Sequence, residues 1–172
     1  MTRYHNGSLI PTTLFGSTCG ASTLLVGETR LSGNDSLHLF NPQDITLNED
    51  NGFDYVADTF NHRILRYSFG SPMTTDVAGG NGAGIGANFS IDYTQLNEPY
   101  GIYVSKNTST FYIADTVNNR IVRWRLGQST GMTIEGDCNG MVGTASSLLN
   151  VPLTLTMDSI CMSVIQETIE YK

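Results

Sequence analysis

Short runs rich in β-branched and aromatic residues, separated by polar turns, make up the chain between residues 99 and 136. Residues 101–104, 111–114 and 120–124 are three such runs, and Met132-Thr133-Ile134 is a fourth. Lengths of three to five residues and the lack of a helical apolar stripe are typical of strands. The pattern therefore predicts four short antiparallel strands joined by tight turns.

The same arrangement occurs twice, at an offset of 57 residues. Residues 55–67 read Tyr-Val-Ala-Asp-Thr-Phe-Asn-His-Arg-Ile-Leu-Arg-Tyr, and residues 112–124 read Tyr-Ile-Ala-Asp-Thr-Val-Asn-Asn-Arg-Ile-Val-Arg-Trp. Pro42 and Pro99, which precede the first strand of each copy, stand at that offset too. Two motifs held at one offset without a gap indicate a structural repeat.

A four-stranded sheet that repeats radially is a blade of a β-propeller. Weaker copies flank the two clear ones, since Leu149-Asn150-Val151-Pro152 matches residues 96–99. The sequence predicts an all-β β-propeller of four-stranded antiparallel blades, with about two complete blades and partial flanking ones in one incomplete propeller domain. The expected units are a partial blade at 1–38, repeat blades at 39–95 and 96–148, and the start of a degenerate blade at 149–172.

A polar turn links the second and third strands of each repeat. We expect the Asp that opens it to accept backbone N–H bonds from the residues after it, and the Asn to favour the left-handed backbone of a tight reversal. The Arg can pair with a nearby carboxylate or carbonyl. These turn residues are interpreted as mainly structural, and they are Asp58, Asn61, Arg63, Asp115, Asn118 and Arg120.

These motifs resemble the NHL repeat, written here as Pro-x-Gly-Ile followed by Tyr-[Val/Ile]-Ala-Asp-Thr-x-Asn-x-Arg-Ile. The resemblance covers roughly residues 39–152 and is specific in two copies, 42–67 and 99–124. The first copy departs from it, with Asp44 where the second has Gly101, which we expect to let innermost strands approach closely. The resemblance implies a β-propeller, commonly of six blades, that binds protein or other ligands.

Charge and cysteine content exclude several classes of function. The chain has 9 Lys and Arg against 16 Asp and Glu, a formal net charge of −7, which argues against nucleic-acid binding through phosphate contacts. No apolar run approaches the ~18 residues of a membrane span. Cys19, Cys138 and Cys161 are odd in number and lack paired spacing, so they predict neither a zinc site nor a complete disulfide framework.

Candidate cofactor motifs are weak. Residues 82–87 resemble a dinucleotide fingerprint, but no amphipathic helix follows, so they are interpreted as a flexible connector. His5, His38 and His62 lack the spacing of a metal site. An acidic segment without calcium-loop spacing is interpreted as a solvated hairpin, and its members are Asp44, Asn48, Glu49, Asp50, Asn51 and Asp54. We expect no cofactor, no metal and no enzymatic activity.

The sequence thus predicts a non-enzymatic module that presents loops to a protein ligand, without a nucleic-acid or membrane partner. Two alternatives come from the resemblance. One is the substrate-binding propeller of a ubiquitin-ligase-like parent, although the paired cysteines of RING and B-box domains are missing from this sequence. The other is a metal-dependent enzyme similar to the amidating lyase, although histidines do not stand at matching positions of successive repeats.

Compartment and assembly stay open at this point. Possible glycosylation sequons begin at Asn6, Asn34, Asn88 and Asn107 and favour an extracellular origin, whereas the first seven residues do not read as a signal peptide. Propellers typically need 4–8 blades to close. We therefore expect either a fragment of a longer protein or self-association through open blade edges.

Overall fold

The computed structural model describes residues 2–3, 12–13, 32–48, 52–68, 71, 74–84, 93–105, 108–136, 149–157 and 162–166. Apart from a 3-10 turn at Thr59–Asn61, the regular elements of this part of the chain are strands. They are β1 (Thr2–Arg3), β2 (Thr12–Thr13), β3 (Asp44–Asn48), β4 (Phe53–Asp58), β5 (Arg63–Ser68), β6 (Thr74–Gly79), β7 (Pro99–Ser105), β8 (Thr110–Asp115), β9 (Arg120–Arg125), β10 (Met132–Gly136), β11 (Pro152–Met157) and β12 (Met162–Gln166).

Two four-stranded antiparallel sheets dominate the structure, and in each the strands follow one another in chain order. Blade 1 is β3-β4-β5-β6 and blade 2 is β7-β8-β9-β10. Two-stranded sheets form from β1 with β2 and from β11 with β12, and the second of these is called the third sheet below. The predicted all-β fold of four-stranded antiparallel blades is confirmed.

The repeat extends to the hydrogen-bond register. Asp58 opposes Arg63 in blade 1, and Asp115 opposes Arg120 in blade 2, so both polar turns close at equivalent positions. Gly52 follows β3 with a φ of 70° and donates its backbone N–H to the carbonyl of Asn48. This bond closes the hairpin that joins β3 to β4.

The core lies between successive sheets. Alternate residues of a strand point to opposite faces, so each blade presents one apolar face to each neighbour. Tyr55 of β4 packs edge-on against Phe111 of β8, with ring centroids 4.9 Å apart. On the other face of blade 2, Ala114 packs in one buried cluster with Leu155 of the third sheet and with Leu149, which precedes that sheet in the chain. Blade-to-blade packing therefore buries most of the apolar side chains of the repeats.

Gly101 lies where β7 meets β11, the first strand of the third sheet. A Cβ atom at this position would lie 2.8 Å from the carbonyl oxygen of Leu153 and 2.8 Å from the Cα atom of Thr154. Only glycine allows this approach without a shift of one backbone. The close contact of innermost strands expected from the sequence is thus present.

None of the described residues forms a helix that is long and apolar enough to cross a membrane.

Candidate functional site

Each blade has two chemically different ends. Because strand direction alternates, the β4–β5 and β8–β9 turns lie at the same end as the connectors that enter β3 and β7. We call this the turn end. The β3–β4 and β7–β8 hairpins lie at the opposite end, called the hairpin end. The six turn residues singled out by the sequence are therefore gathered at one end of the blades.

Asp58 is fully buried at the start of the blade 1 turn. Its Oδ1 atom accepts the backbone N–H of Phe40 at 2.7 Å, and Oδ2 accepts Asn61 Nδ2 and Arg63 Nε, both at 2.8 Å. The expectation that this Asp accepts backbone N–H bonds from the residues after it was wrong. The backbone donor instead lies 18 residues earlier, in the connector that enters β3, and the later residues donate through side chains.

Blade 2 repeats this network. Asp115 Oδ1 accepts the backbone N–H of Asn97 at 2.6 Å, while Oδ2 accepts Asn118 Nδ2 at 3.0 Å and Arg120 Nε at 2.6 Å. Asp115, Asn118 and Arg120 are all buried. The turn side chains are thus used within the scaffold in both blades.

Burial sets the electrostatics of the two turn carboxylates. It raises the pKa of Asp58 and of Asp115 above the ordinary aspartate value, because a charged carboxylate loses its hydration there. The neighbouring guanidinium and amide donors act in the opposite direction. Both carboxylate oxygens of each Asp accept hydrogen bonds, and one of the donors is the paired Arg. These bonds offset part of the free-energy cost of burying the charge.

The turn arginines reach beyond their carboxylates. Arg63 Nη2 donates to the carbonyls of Asp35 and His38 at 2.8 and 3.2 Å, and its Nη1 lies 3.2 Å from Asp76 Oδ1. Arg120 makes the equivalent contacts with the carbonyl of Gln95 and the hydroxyl of Thr133. Each Arg therefore ties the incoming connector and the outermost strand of its blade to the turn, through the carboxylate and carbonyl partners expected from the sequence.

The threonine of each Asp-Thr pair bonds across blades. Thr59 Oγ1 donates to the carbonyl of Pro99 at 2.8 Å, and Thr116 Oγ1 donates to that of Pro152 at 2.7 Å. Both threonines are buried. This role was not predicted from the sequence, where its signal is that Thr and Pro both recur from one repeat to the next.

The residue before the turn Arg also joins successive blades. The left-handed residues of the two turns are His62 and Asn119, with φ values of 55° and 50°, and not Asn61 and Asn118 as expected. His62 Nδ1 accepts the backbone N–H of Glu98 at 3.1 Å, and Asn119 Oδ1 accepts that of Val151 at 3.0 Å. His62 is therefore a hydrogen-bond acceptor between blades, in place of an asparagine oxygen.

Apolar side chains face outward at the turn end. Phe60 and Val117, which occupy the first variable position of the two turns, are 39% and 48% exposed. Phe40 is 44% exposed and packs edge-on against Phe60, with ring centroids 5.2 Å apart. These positions were not predicted from the sequence because they differ between the two copies of the repeat.

In the described blades, carboxylates that are not buried outnumber accessible arginines in the half of each sheet nearer the turn end. The carboxylates at or near the turn end that are not buried belong to Asp35, Asp44, Asp76, Glu98 and Glu135. Arg63 and Arg120 lie there too, but both are buried. The arginines of the described blade residues that are not buried lie toward the hairpin end, and they are Arg66, Arg123 and Arg125. The accessible surface of the turn end is therefore acidic in this part of the molecule.

Other candidates from the sequence do not gather into a site. Asn48 and Asp54 are buried, so the expectation of a solvated hairpin was wrong for these two. Asn34 is exposed, and His38 contacts Asp35 Oδ1 at 2.7 Å. Within the described ranges, no group of three or more His, Cys, Asp or Glu side chains could hold a metal ion. Candidates outside the described residues are His5, Asn6, Cys19, Glu49, Asp50, Asn51, residues 85–87, Asn88, Asn107, Cys138 and Cys161.

Comparisons with known proteins add relatives for about half of the chain. No family model matches it. NHL repeat-containing protein 2 is 36% identical over 85 residues in Bos taurus and 30% identical over 83 residues in Homo sapiens. Each match covers 48% of this chain, and the chain spans only 11% of each relative.

A solved structure matches a larger part of the chain. It is an auxiliary nutrient binding protein from Bacteroides thetaiotaomicron, with a TM-score of 0.52 and 21% identity. The match covers 73% of this chain and 36% of that one. At this identity the likeness concerns the fold, and it agrees with the blades described above.

Proposed function

Because this chain belongs to the NHL-repeat family of β-propellers, we propose that it is a non-enzymatic module that binds a protein ligand at the turn end of its blades. One observation carries the proposal. The polar turn side chains form hydrogen bonds within the blades. The neighbouring positions that face outward, Phe60 and Val117, carry exposed apolar side chains. Exposed apolar residues rimmed by polar ones are typical of protein contacts.

The burial of the turn carboxylates supports a non-catalytic role. A general acid or base must lie within hydrogen-bond reach of the group it protonates or deprotonates. Asp58 and Asp115 are completely buried, and both oxygens of each already accept hydrogen bonds from Arg, Asn and backbone donors. Their raised pKa values therefore follow from scaffold burial rather than from contact with a substrate.

A peptide-display selection tests this function. The folded chain is immobilised and panned against a library of random peptides, with the heat-unfolded chain as the subtracted control. We expect peptides that bind the folded chain selectively, with affinities measurable by isothermal titration calorimetry. Recovery of no folded-state binder after several rounds would contradict a peptide-binding role.

We propose that further blades, from a longer chain or from a second copy, complete the propeller to which these blades belong. Propellers close with about 4–8 blades, and the described residues supply two four-stranded and two two-stranded sheets. The curated relatives are also much longer than the matched region. Light scattering tests whether the purified chain self-associates. A monodisperse monomer of 18.7 kDa that unfolds cooperatively would count against both routes.

A further inference from the structure

Blade 1 carries an aromatic pair that the repeat itself does not require. The backbone N–H of Phe60 donates to the carbonyl of Phe40 at 3.0 Å, and Val117 donates to Asn97 in the same way at 3.2 Å. Phe40 and Asn97 also donate equivalently to the turn carboxylates. The scaffold is therefore the same with Asn and Val as with two Phe residues. The half-exposed rings of blade 1 are a local addition to its surface.

Two carboxylates of this region are linked to the same turn through Arg63, which contacts Asp76 Oδ1 and the backbone carbonyl of Asp35. Asp35 lies in the connector that leads to Phe40, and its side chain is 59% exposed. Asp76 lies in β6, with a side chain that is 49% exposed and touches the Arg63 guanidinium from outside. Blade 2 has the neutral Thr133 where Asp76 stands. At this one position blade 1 therefore carries a carboxylate that blade 2 lacks.

From this combination we infer that the turn end of blade 1, centred on Phe40 and Phe60, docks a segment of a partner protein that carries Arg or Lys beside an apolar side chain. The inference rests on the proposed binding function and names the chemistry of its partner. The apolar side chain packs against the rings, and a guanidinium or ammonium group interacts with a ring face and with the nearby carboxylates. A phosphate-rich partner is repelled by the same carboxylates.

The chain itself supplies conservative variants for a test. The double variant Phe40→Asn/Phe60→Val and the single variant Asp76→Thr install residues that blade 2 already uses at equivalent positions. The double variant keeps the backbone N–H and carbonyl groups that bond in both blades, and Thr at position 76 offers Arg63 the kind of hydroxyl acceptor that Thr133 offers Arg120. The matched control is Met132→Ser, which removes an apolar side chain that is 56% exposed at the hairpin end. Circular dichroism melts establish that all variants are folded.

The probe is the displayed random-peptide library, panned against the native chain. We expect enrichment of peptides with Arg or Lys next to Leu, Ile or an aromatic residue. Phe40→Asn/Phe60→Val should weaken their binding by about tenfold, as expected for loss of aromatic anchors. Asp76→Thr should weaken binding by about threefold and reduce its salt sensitivity. Met132→Ser should bind like the native chain.

The outcomes separate this inference from the broader function. Peptides that bind tightly but are acidic or uncharged, or that ignore the Phe40→Asn/Phe60→Val change, overturn the inference and leave the binding function standing. Recovery of no peptide contradicts the binding function itself. If light scattering finds a dimer that the double variant dissociates, the occupant is a second copy of the chain and the inference is overturned.

Discussion

The Oδ2 atom of Asp44 accepts a hydrogen bond of 2.9 Å from the backbone N–H of Ile102. The two residues belong to β3 and β7, so the carboxylate joins the innermost strands of blades 1 and 2. Oδ1 of the same side chain accepts the N–H of Ile45 at 2.8 Å. At the matching position of blade 2, Gly101 instead lets β11 come close. The repeat therefore uses two different contacts at one position.

Replacement of Asp44 by Ala should destabilise the protein by about 1–3 kcal/mol, because the Ile102 N–H loses its acceptor in a partly buried site. Asp44→Asn keeps an acceptor oxygen and should cost less. Urea denaturation followed by tryptophan fluorescence measures both changes. Equal stability of the Ala variant and the native chain would mean that this bond does not contribute to the blade contact.

Stability should fall as the pH rises from about 4 through the acidic range. Burial raises the pKa of Asp44, Asp58 and Asp115 in the folded chain, so the folded state binds more protons than the unfolded state just above the ordinary value of 3.8. Their contribution is complete below that value and is lost as pH passes the raised values.

Free energies of unfolding from urea titrations at several pH values measure this slope. High salt screens the general repulsion among exposed carboxylates, which has the same sign. The variant Asp44→Asn should show a shallower slope, since one of the three groups no longer titrates. Stability that increases with pH over this range in high salt would contradict the prediction.

Thr116→Val should cost about 0.5–1.5 kcal/mol through loss of the hydroxyl bond to the Pro152 carbonyl. Valine has nearly the same shape, so packing should change little. Thr116→Ser keeps the hydroxyl and serves as the matched control. Chemical denaturation compares the three proteins. A Ser variant that is less stable than the Val variant would point to the methyl group rather than to the hydrogen bond.

Gly101→Ala should destabilise the contact of β7 with the third sheet by about 1–3 kcal/mol, because the added methyl group meets backbone atoms of β11. Ser129→Ala, at an exposed loop position, is the control and should leave stability unchanged. Thermal melts and hydrogen exchange of β11 amides measure the effect. Unchanged protection in β11 would contradict the prediction, because it would show that the two strands accommodate the methyl group without a loss of stability.

The strands and the repeat were predictable because they depend on local pattern. The run at residues 111–114, for example, corresponds to β8, which extends it by one residue at each end. Partners across the fold were not predictable. Nothing near Asp58 in the sequence indicates Phe40 as its backbone donor, because that contact depends on the path of the connector. The burial of Asn48 and Asp54 was not predicted either, because polar residue types by themselves favour exposure and their partners are not visible in the sequence.

The distances along the chain between bonded partners suggest an order of assembly. Asp58 closes its turn with a donor 18 residues upstream, so blade 1 contains all parts of its own turn network once β5 has been synthesised. The bond from Thr59 to the next blade spans 40 residues and must come later. Contacts of short sequence separation form quickly and with little loss of chain entropy. The chain is therefore suited to fold blade by blade from its N-terminal side during translation. Each folded sheet then offers the next one a surface to pack against.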